Sequence, residues 1–427
     1  MEALRKRLFD ELVKIPLLDS HSHIDPHRPT AADFDDLLGY HYYTELSHSS
    51  GMGHEPLRSD TPAEERARAI AGFLPSIRNT VQYSWILEIA QDFFSFSADH
   101  IDATNIDELW KLASKSLERE GWESEVLRRS NVEKVFLTND FDDRLEGFDT
   151  DRYVPCLRTD DLVFHLGKPE VVERLRQASQ CDAGNAATLT TALEAVFGHF
   201  VNQKAKACAI SLPPDFQPQP VESSKVDPII RRLLSGAEVS ADDRLAVSYF
   251  VFWQLTELCR EHGLPFDLMI GVHRNVYPGG VHQGRDLFNR LGSLDQYRTL
   301  FNSFPEVTFP VSVLPSDGNQ ELVAFSWIFP NVVTHGHWWY SNVPAYIEND
   351  ARARLQAVPG SKQIAYYSDA YKLEFIAPKF NMYRRILAKI LACDFVNERG
   401  WTEEKALELG REVLRGNVER IFYGSSA

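Results

Sequence analysis

The chain has 427 residues, 44% of them hydrophobic and 25% charged, with a formal net charge of −16 at pH 7. Such acidity excludes a surface built for nucleic acid, although a local arginine cluster could still hold a small anion. No apolar run reaches membrane-spanning length, the first residues mix charged and apolar types unlike a signal peptide, and the five cysteines (Cys156, Cys181, Cys208, Cys259, Cys393) show no CxxC spacing, so a soluble cytoplasmic protein with reduced thiols and no membrane partner is expected.

In chain order, a helix is predicted over 1–14, and the apolar run 15–18 that follows reads as a buried strand. Residues 24–130 read as a polar, helical insertion, with helical spacing at 62–73 and 106–120 and with Asn105 or Asp107 as cap of the latter. Strands are predicted at 132–138, 153–157 and 205–212, with helix-forming sequence over about 169–203 between the last two. Residues 213–245 hold prolines and charges and read as loop, before a helix over 244–262. Further strands follow at 265–272, 307–314, 332–335 and 363–369, and the region 379–422 closes the chain as helix. No internal repeat is present.

Strand and helix alternating through eight strands predict a parallel (β/α)8 TIM barrel. It divides into an N-terminal helix with strand 1 (1–23), a helical insertion (24–130), and the remaining barrel with its C-terminal helices (131–427). Barrels of this kind carry their chemistry at the C-terminal ends of the strands. Polar residues gather at those ends: His21 and His23, Arg158, His273 and Arg274, the run from Thr334 through His335 and His337 to Trp338 and Trp339, and Asp369.

In an extended segment, side chains two apart point the same way, so His21 and His23 can aim two imidazoles at one metal ion. The same pair could equally be ordinary polar residues closing a strand. Asp369 is the natural third ligand, since strand 8 lies beside strand 1 when a barrel closes; an aspartate there can also be a helix N-cap. Two nitrogens and an oxygen leave positions open for substrate and suit one divalent ion, zinc first, with manganese or iron as alternatives.

These residues resemble the amidohydrolase superfamily, with its metal-dependent-hydrolase type of barrel, and within it the uronate isomerase (glucuronate isomerase) family, over most of the chain. The family's D-x-H-x-H opening and later H-Y pair are matched by Asp19 to His23 and by His41-Tyr42. Its R-N-P-x-Y-x-W motif is similar to Arg78-Asn79-Thr80 with Tyr83 and Trp85. Thr138-Asn139-Asp140 resembles its T-x-D element, and Arg158-Thr159-Asp160 its R-P-D element. Gly271 to Asn275 echoes its G-A-x-R-N pattern, Trp338-Trp339 its paired tryptophans, and Asn417, Arg420 and Phe422 its C-terminal N-x-x-R-x-F.

There are departures. Asp369 is followed by Ala370-Tyr371 where the family has Ser-Arg, Met269 stands where the family often has a histidine, and His335 and His337 replace small residues.

The resemblance implies a metal-dependent aldose–ketose isomerase of carbohydrate metabolism, acting on a hexuronate such as D-glucuronate or D-galacturonate through an enediol. It implies Asp369 as ligand and base, with His41 and Tyr42 relaying protons. Arg158 and Arg274 are candidates for the substrate carboxylate, because a guanidinium offers a bidentate fork. Trp338 and Trp339 would wall the pocket, and His273 and His335 would reach it. Each has a plainer alternative: Tyr42 as core packing, the arginines as rim ion pairs, a tryptophan as core. The partner is a small sugar acid, and a homo-oligomer is expected.

Two rival functions use the same residues. One is hydrolysis of an ester, lactone or amide; Ser211 and Leu212, with no lysine at the end of strand 4, count against its binuclear form. The other is a silent barrel that only binds a sugar acid, against which the His21, His23 and Asp369 set stands.

Overall fold

The computed structural model describes residues 1–424. Its barrel strands are Leu17–Asp19 (strand 1), Val132–Phe136 with the continuation Asn139–Asp140 (2), and Tyr153–Val154 with Cys156–Arg158 (3). Then come Ala207–Leu212 (4), Phe266–Ile270 (5), Phe309–Val313 (6), Val332–His335 (7) and Gln363–Ile364 (8). Neighbours pair in parallel and in chain order. Between strands 8 and 1 the ring is joined by two backbone hydrogen bonds, Asp369 N to His21 O (3.1 Å) and His23 N to Ala370 O (2.8 Å). The fold is a (β/α)8 barrel. Strands 5 and 6 are buried at every position, as apolar runs covered on both faces require.

One apolar cluster fills the barrel interior, drawing on Leu18, Phe136, Val154, Cys156, Ala207, Val333 and Ile364, and Val418 and Phe422 of the last helix (Asn417–Tyr423) belong to it. Outside, helices from residues 160–262 pack with strands 3 to 7 in a second cluster. Six helices separate strand 1 from strand 2: Phe34–Leu38, His41–Ser49, Ala63–Ala71, Val81–Phe94, Ile106–Leu117 and Trp122–Ser130. They share a third cluster with the first helix, Glu2–Val13, and with helix Ile376–Ile390. Among the described residues no helix is long and apolar enough to cross a membrane.

Several elements depart from expectation. Strand 8 is two residues long: directly after it Ala365 N donates to Val413 O instead of along the ladder, and further on Asp369 turns left-handed, with φ 51°. The helical stretch 169–203 is two helices, Pro169–Ser179 and Ala186–Asn202. Gln180 turns left-handed (φ 55°) and stops the first, while the Asn185 side chain accepts from Thr188 N and starts the second. The expected loop 213–245 contains helix Ser223–Leu234, which buries Val226, Ile230 and Leu233 despite Pro228 in its middle. Helix Ile106–Leu117 has Asn105 at its N-cap position but no side-chain cap, since Asn105 turns back to accept from Asp102 N, and Asp107 instead accepts from Arg68.

Candidate active site

The chain beyond strand 1 stays extended enough to bring the rings of His21 and His23 edge to face, 5.4 Å apart. Each ring is oriented through its Nδ1. That of His21 meets Asp267 Oδ2 at 3.2 Å, and that of His23 meets Thr138 Oγ1 at 2.7 Å. The Thr138 hydroxyl donates to Ser22 O (3.0 Å), so it accepts from His23. With both Nδ1 atoms donating, both Nε2 atoms present lone pairs.

Those lone pairs face a carboxylate. Asp369 Oδ1 lies 3.4 Å from His23 Nε2 and 3.8 Å from His21 Nε2, and one ligand atom from each of the three residues falls within 4.8 Å of the others. His21 Nε2 is buried and has no hydrogen-bond partner. Three electron-rich atoms turned toward one point, one of them orphaned, fit a cation held between them. Burial alone would push the Asp369 carboxyl up, but its neighbours, His23 first and then Lys379 and His21, hold it down at about 2. Its left-handed backbone costs on the order of 1–2 kcal/mol.

Beneath the donors, Asp267 bridges two histidines, accepting from His335 Nδ1 at 3.0 Å through its other oxygen. His335 Nε2 lies 2.8 Å from Ser20 Oγ. Burial would raise the Asp267 carboxyl, yet the charges and hydrogen bonds of His335 and His21 hold it well below the usual carboxylate range.

A cavity of about 210 Å³ opens beside the donors. His23, Asp369 and Tyr371 line it from the strand 1 and strand 8 ends, Arg158, Ser211 and Met269 from strands 3 to 5. His41, Trp338 and Trp339 wall it, and the loop after strand 5 adds Arg274, Gln283 and Asp286. His41, Gln283 and Tyr371 also line an adjoining cleft of about 410 Å³. Arg158 makes one contact, Nε to Asp160 Oδ2 at 3.3 Å, which leaves donors over. Arg274 is tied to Asp286 at 2.7 Å. Burial drives the His41 imidazole down to about 3, so it is neutral, and raises the Tyr371 phenol to about 12, so it keeps its proton.

Three expected pocket residues lie elsewhere. His335 is fully buried under the site, where its ring orients Asp267 rather than facing the cavity. His273 pairs with Leu287 in a short antiparallel ladder and is exposed. Tyr42 is buried behind His41, with its ring against Trp85, and does not line the cavity.

Sequence reasoning missed Asp267, Thr138 as a histidine partner, Gln283, Tyr371 as a pocket wall, and Lys379. Asp267 had a signal, a lone acid inside an apolar strand; Gln283 had none, because a loop brings it in.

Two histidines past strand 1 and an aspartate past strand 8 thus converge beside a cavity at the C-terminal ends of an eight-stranded parallel barrel, the place where barrel enzymes carry their active sites. The family model for glucuronate isomerase matches residues 1–423, and the chain belongs to that family of aldose–ketose isomerases. It is similar to the uronate isomerase of Thermotoga petrophila, 23% identical over 444 residues that span 98% of this chain and 97% of the relative. The crystal structure of uronate isomerase from Thermotoga maritima superposes with a TM-score of 0.90 at 21% identity, covering 98% of this chain and 97% of that one. That of glucuronate isomerase from Caulobacter crescentus gives 0.90 at 18%, covering 100% and 95%.

Proposed function

We propose that the protein interconverts a hexuronate aldose, such as D-glucuronate or D-galacturonate, with its ketose. The observation that carries this reading is one cavity lined both by members of an electron-rich donor set (His23 and Asp369) and by Arg158 with donors to spare. At about 210 Å³ the cavity is smaller than the roughly 300–1,000 Å³ typical of drug-sized ligands, in keeping with a six-carbon acid.

His21, His23 and Asp369 would hold a divalent ion, zinc in the first instance and manganese or iron otherwise. Such an ion, when bound, polarises the substrate's carbonyl and hydroxyl oxygens and stabilises negative charge on them. Arg158 takes the substrate carboxylate through a bidentate fork, and Arg274, already neutralised by Asp286, adds a weaker contact.

The reaction moves one proton from carbon 2 to carbon 1 and another between the two oxygens. Asp369, ionised at neutral pH, accepts a proton from a substrate hydroxyl. Neutral His41 can take the carbon 2 proton and return it to carbon 1, while Asp369 passes its proton to the other oxygen and the Tyr371 phenol, keeping its own proton, hydrogen-bonds the developing oxyanion. Trp338 and Trp339 narrow the cavity against water. The hydrolase reading is not favoured, since the family that matches is one of isomerases.

Proton NMR of the metal-loaded protein with glucuronate and galacturonate in deuterated water tests the proposal. The ketose should appear with one or both sugars. Hydrolysis of esters or lactones with no ketose from either acid would sink it.

A further inference from the structure

Of the three donors, Asp369 alone has a positive φ, 51°. Its orientation is therefore not inherited from a strand and must be imposed by its surroundings. The two peptide planes flanking its Cα, and hence its φ and ψ, are held at their N–H groups by Asp369 N to His21 O and Ala370 N to Ser368 Oγ, both 3.1 Å, and at their other ends by what binds the carbonyls of Ser368 and Asp369.

Both carbonyls trace to one cation. Lys379, in the first turn of helix Ile376–Ile390 and fully buried, donates from Nζ to Ser368 O at 2.7 Å and to the Tyr40 hydroxyl oxygen at 2.8 Å. The Tyr40 hydroxyl donates onward to Asp369 O at 2.7 Å. Around the ammonium stand the rings of Tyr40, Trp85 and Tyr42, with centroids 4.9, 5.1 and 5.2 Å away. Its hydrogen-bond partners are a carbonyl and a hydroxyl, not a carboxylate, so this is not an ordinary buried ion pair. A buried charge is costly to keep, and a neutral donor could have satisfied one carbonyl. What the lysine adds is two strong donors diverging from one point, enclosed by aromatic faces that stabilise the cation.

We infer that Lys379 is a positioning residue for the donor set: acting directly on Ser368 and through Tyr40 on Asp369, it fixes the backbone rotation that points the Asp369 carboxylate at His21 and His23. The inference rests on the reading of Asp369 as a metal ligand. The aromatic cage formed by Tyr40, Tyr42 and Trp85 gives the insertion helices a part in the site even where they do not touch the cavity.

Co2+ serves as probe. Metal-free wild type and the variants Lys379→Met, Tyr40→Phe and Asp369→Asn are titrated with Co2+ against a competing chelator, with visible absorption recorded, circular dichroism and thermal midpoints measured alongside, and kcat and KM determined for the loaded forms. Lys379→Met should bind Co2+ 10- to 100-fold more weakly, as loss of outer-shell partners does. Its absorption band should change, and kcat should fall with KM within about twofold. Tyr40→Phe, which removes a single hydroxyl, should move the same readouts in the same direction by less, and it decides the matter if Lys379→Met does not fold. Wild-type Co2+ affinity and spectrum in both variants, beside a weakened Asp369→Asn, would overturn the positioning role alone, even if the thermal midpoints drop. Wild-type Co2+ binding by Asp369→Asn would instead remove the ligand reading on which the inference stands.

Discussion

Asp267 sits inside the apolar strand Phe266–Ile270 and shares its two oxygens between His21 and His335. An asparagine there keeps the shape but offers one acceptor and an NH2 group, so one imidazole N–H loses its partner. Asp267→Asn is expected to lower metal affinity by 10- to 100-fold, read by chelator competition. It should destabilise the metal-free fold by about 1–3 kcal/mol, read by urea unfolding. His337 carries a different prediction. It is buried, both its ring nitrogens lack hydrogen-bond partners, and burial, with the charge of Arg354, pushes its imidazole well below 6.5. Unfolding frees it to take a proton, so its contribution is intact above pH 6.5 and is lost as pH falls below that value. Between pH 6.5 and 5.5 the metal-free wild type should lose about 1.4 kcal/mol per pH unit, at most, that His337→Gln does not lose, in paired urea titrations. At this scale the sequence was readable where alternation past a strand end decides direction, as for His21 and His23, and where the strand end decides place alone, as for Asp369 and Arg158. It was not readable for His335, whose place at a strand end says nothing of whether its ring faces the cavity or the barrel interior below.

Elements follow local chemistry more closely than length. The break between helices Pro169–Ser179 and Ala186–Asn202 is made by a capping box in which Asn185 and Thr188 satisfy each other's backbone amides. Asn185→Ala should cost about 1 kcal/mol in thermal or urea unfolding, and a change near zero would show that packing alone sets the helix start. That break was legible in Gly184-Asn185, yet helical spacing on both sides hid it. Pro228 had the opposite effect, suggesting loop where tertiary burial of Val226, Ile230 and Leu233 makes a helix. The loop after strand 5 could not be anticipated at all. Its course is set by contacts remote in sequence, such as Tyr340 OH donating to Asp286 O at 2.7 Å.

For the molecule as a whole, alternation of strand and helix was enough to give the barrel, because the strands are mostly buried and every connection except the one from strand 2 to strand 3 carries a helix. The seam was not legible in detail: only two backbone hydrogen bonds join strand ends 8 and 1, with Asp19 accepting from Ser368 N (2.7 Å) and from its hydroxyl beside them. A metal ion bound by His21, His23 and Asp369 would bridge that same seam. At a free concentration 100 times its dissociation constant it should stabilise the fold by about 2.7 kcal/mol. Chelation should remove that increment, and His21→Ala should not show it; equal thermal midpoints with and without Zn2+ in the wild type would contradict the site.

The seam also sets a timetable for synthesis. Asp19 and Ser368 are 349 residues apart in sequence. At about 5–20 residues per second, the ribosome delivers the second roughly 17–70 s after the first. Throughout that interval strand 1 has one edge with no strand to meet it, an open template for pairing with another nascent chain. The segment made next is the helical insertion, and its apolar residues share a cluster with Ile15 and Leu17. The insertion can therefore cover one face of the first strand early, while the edge that faces strand 8 stays open until residues 363–370 are made.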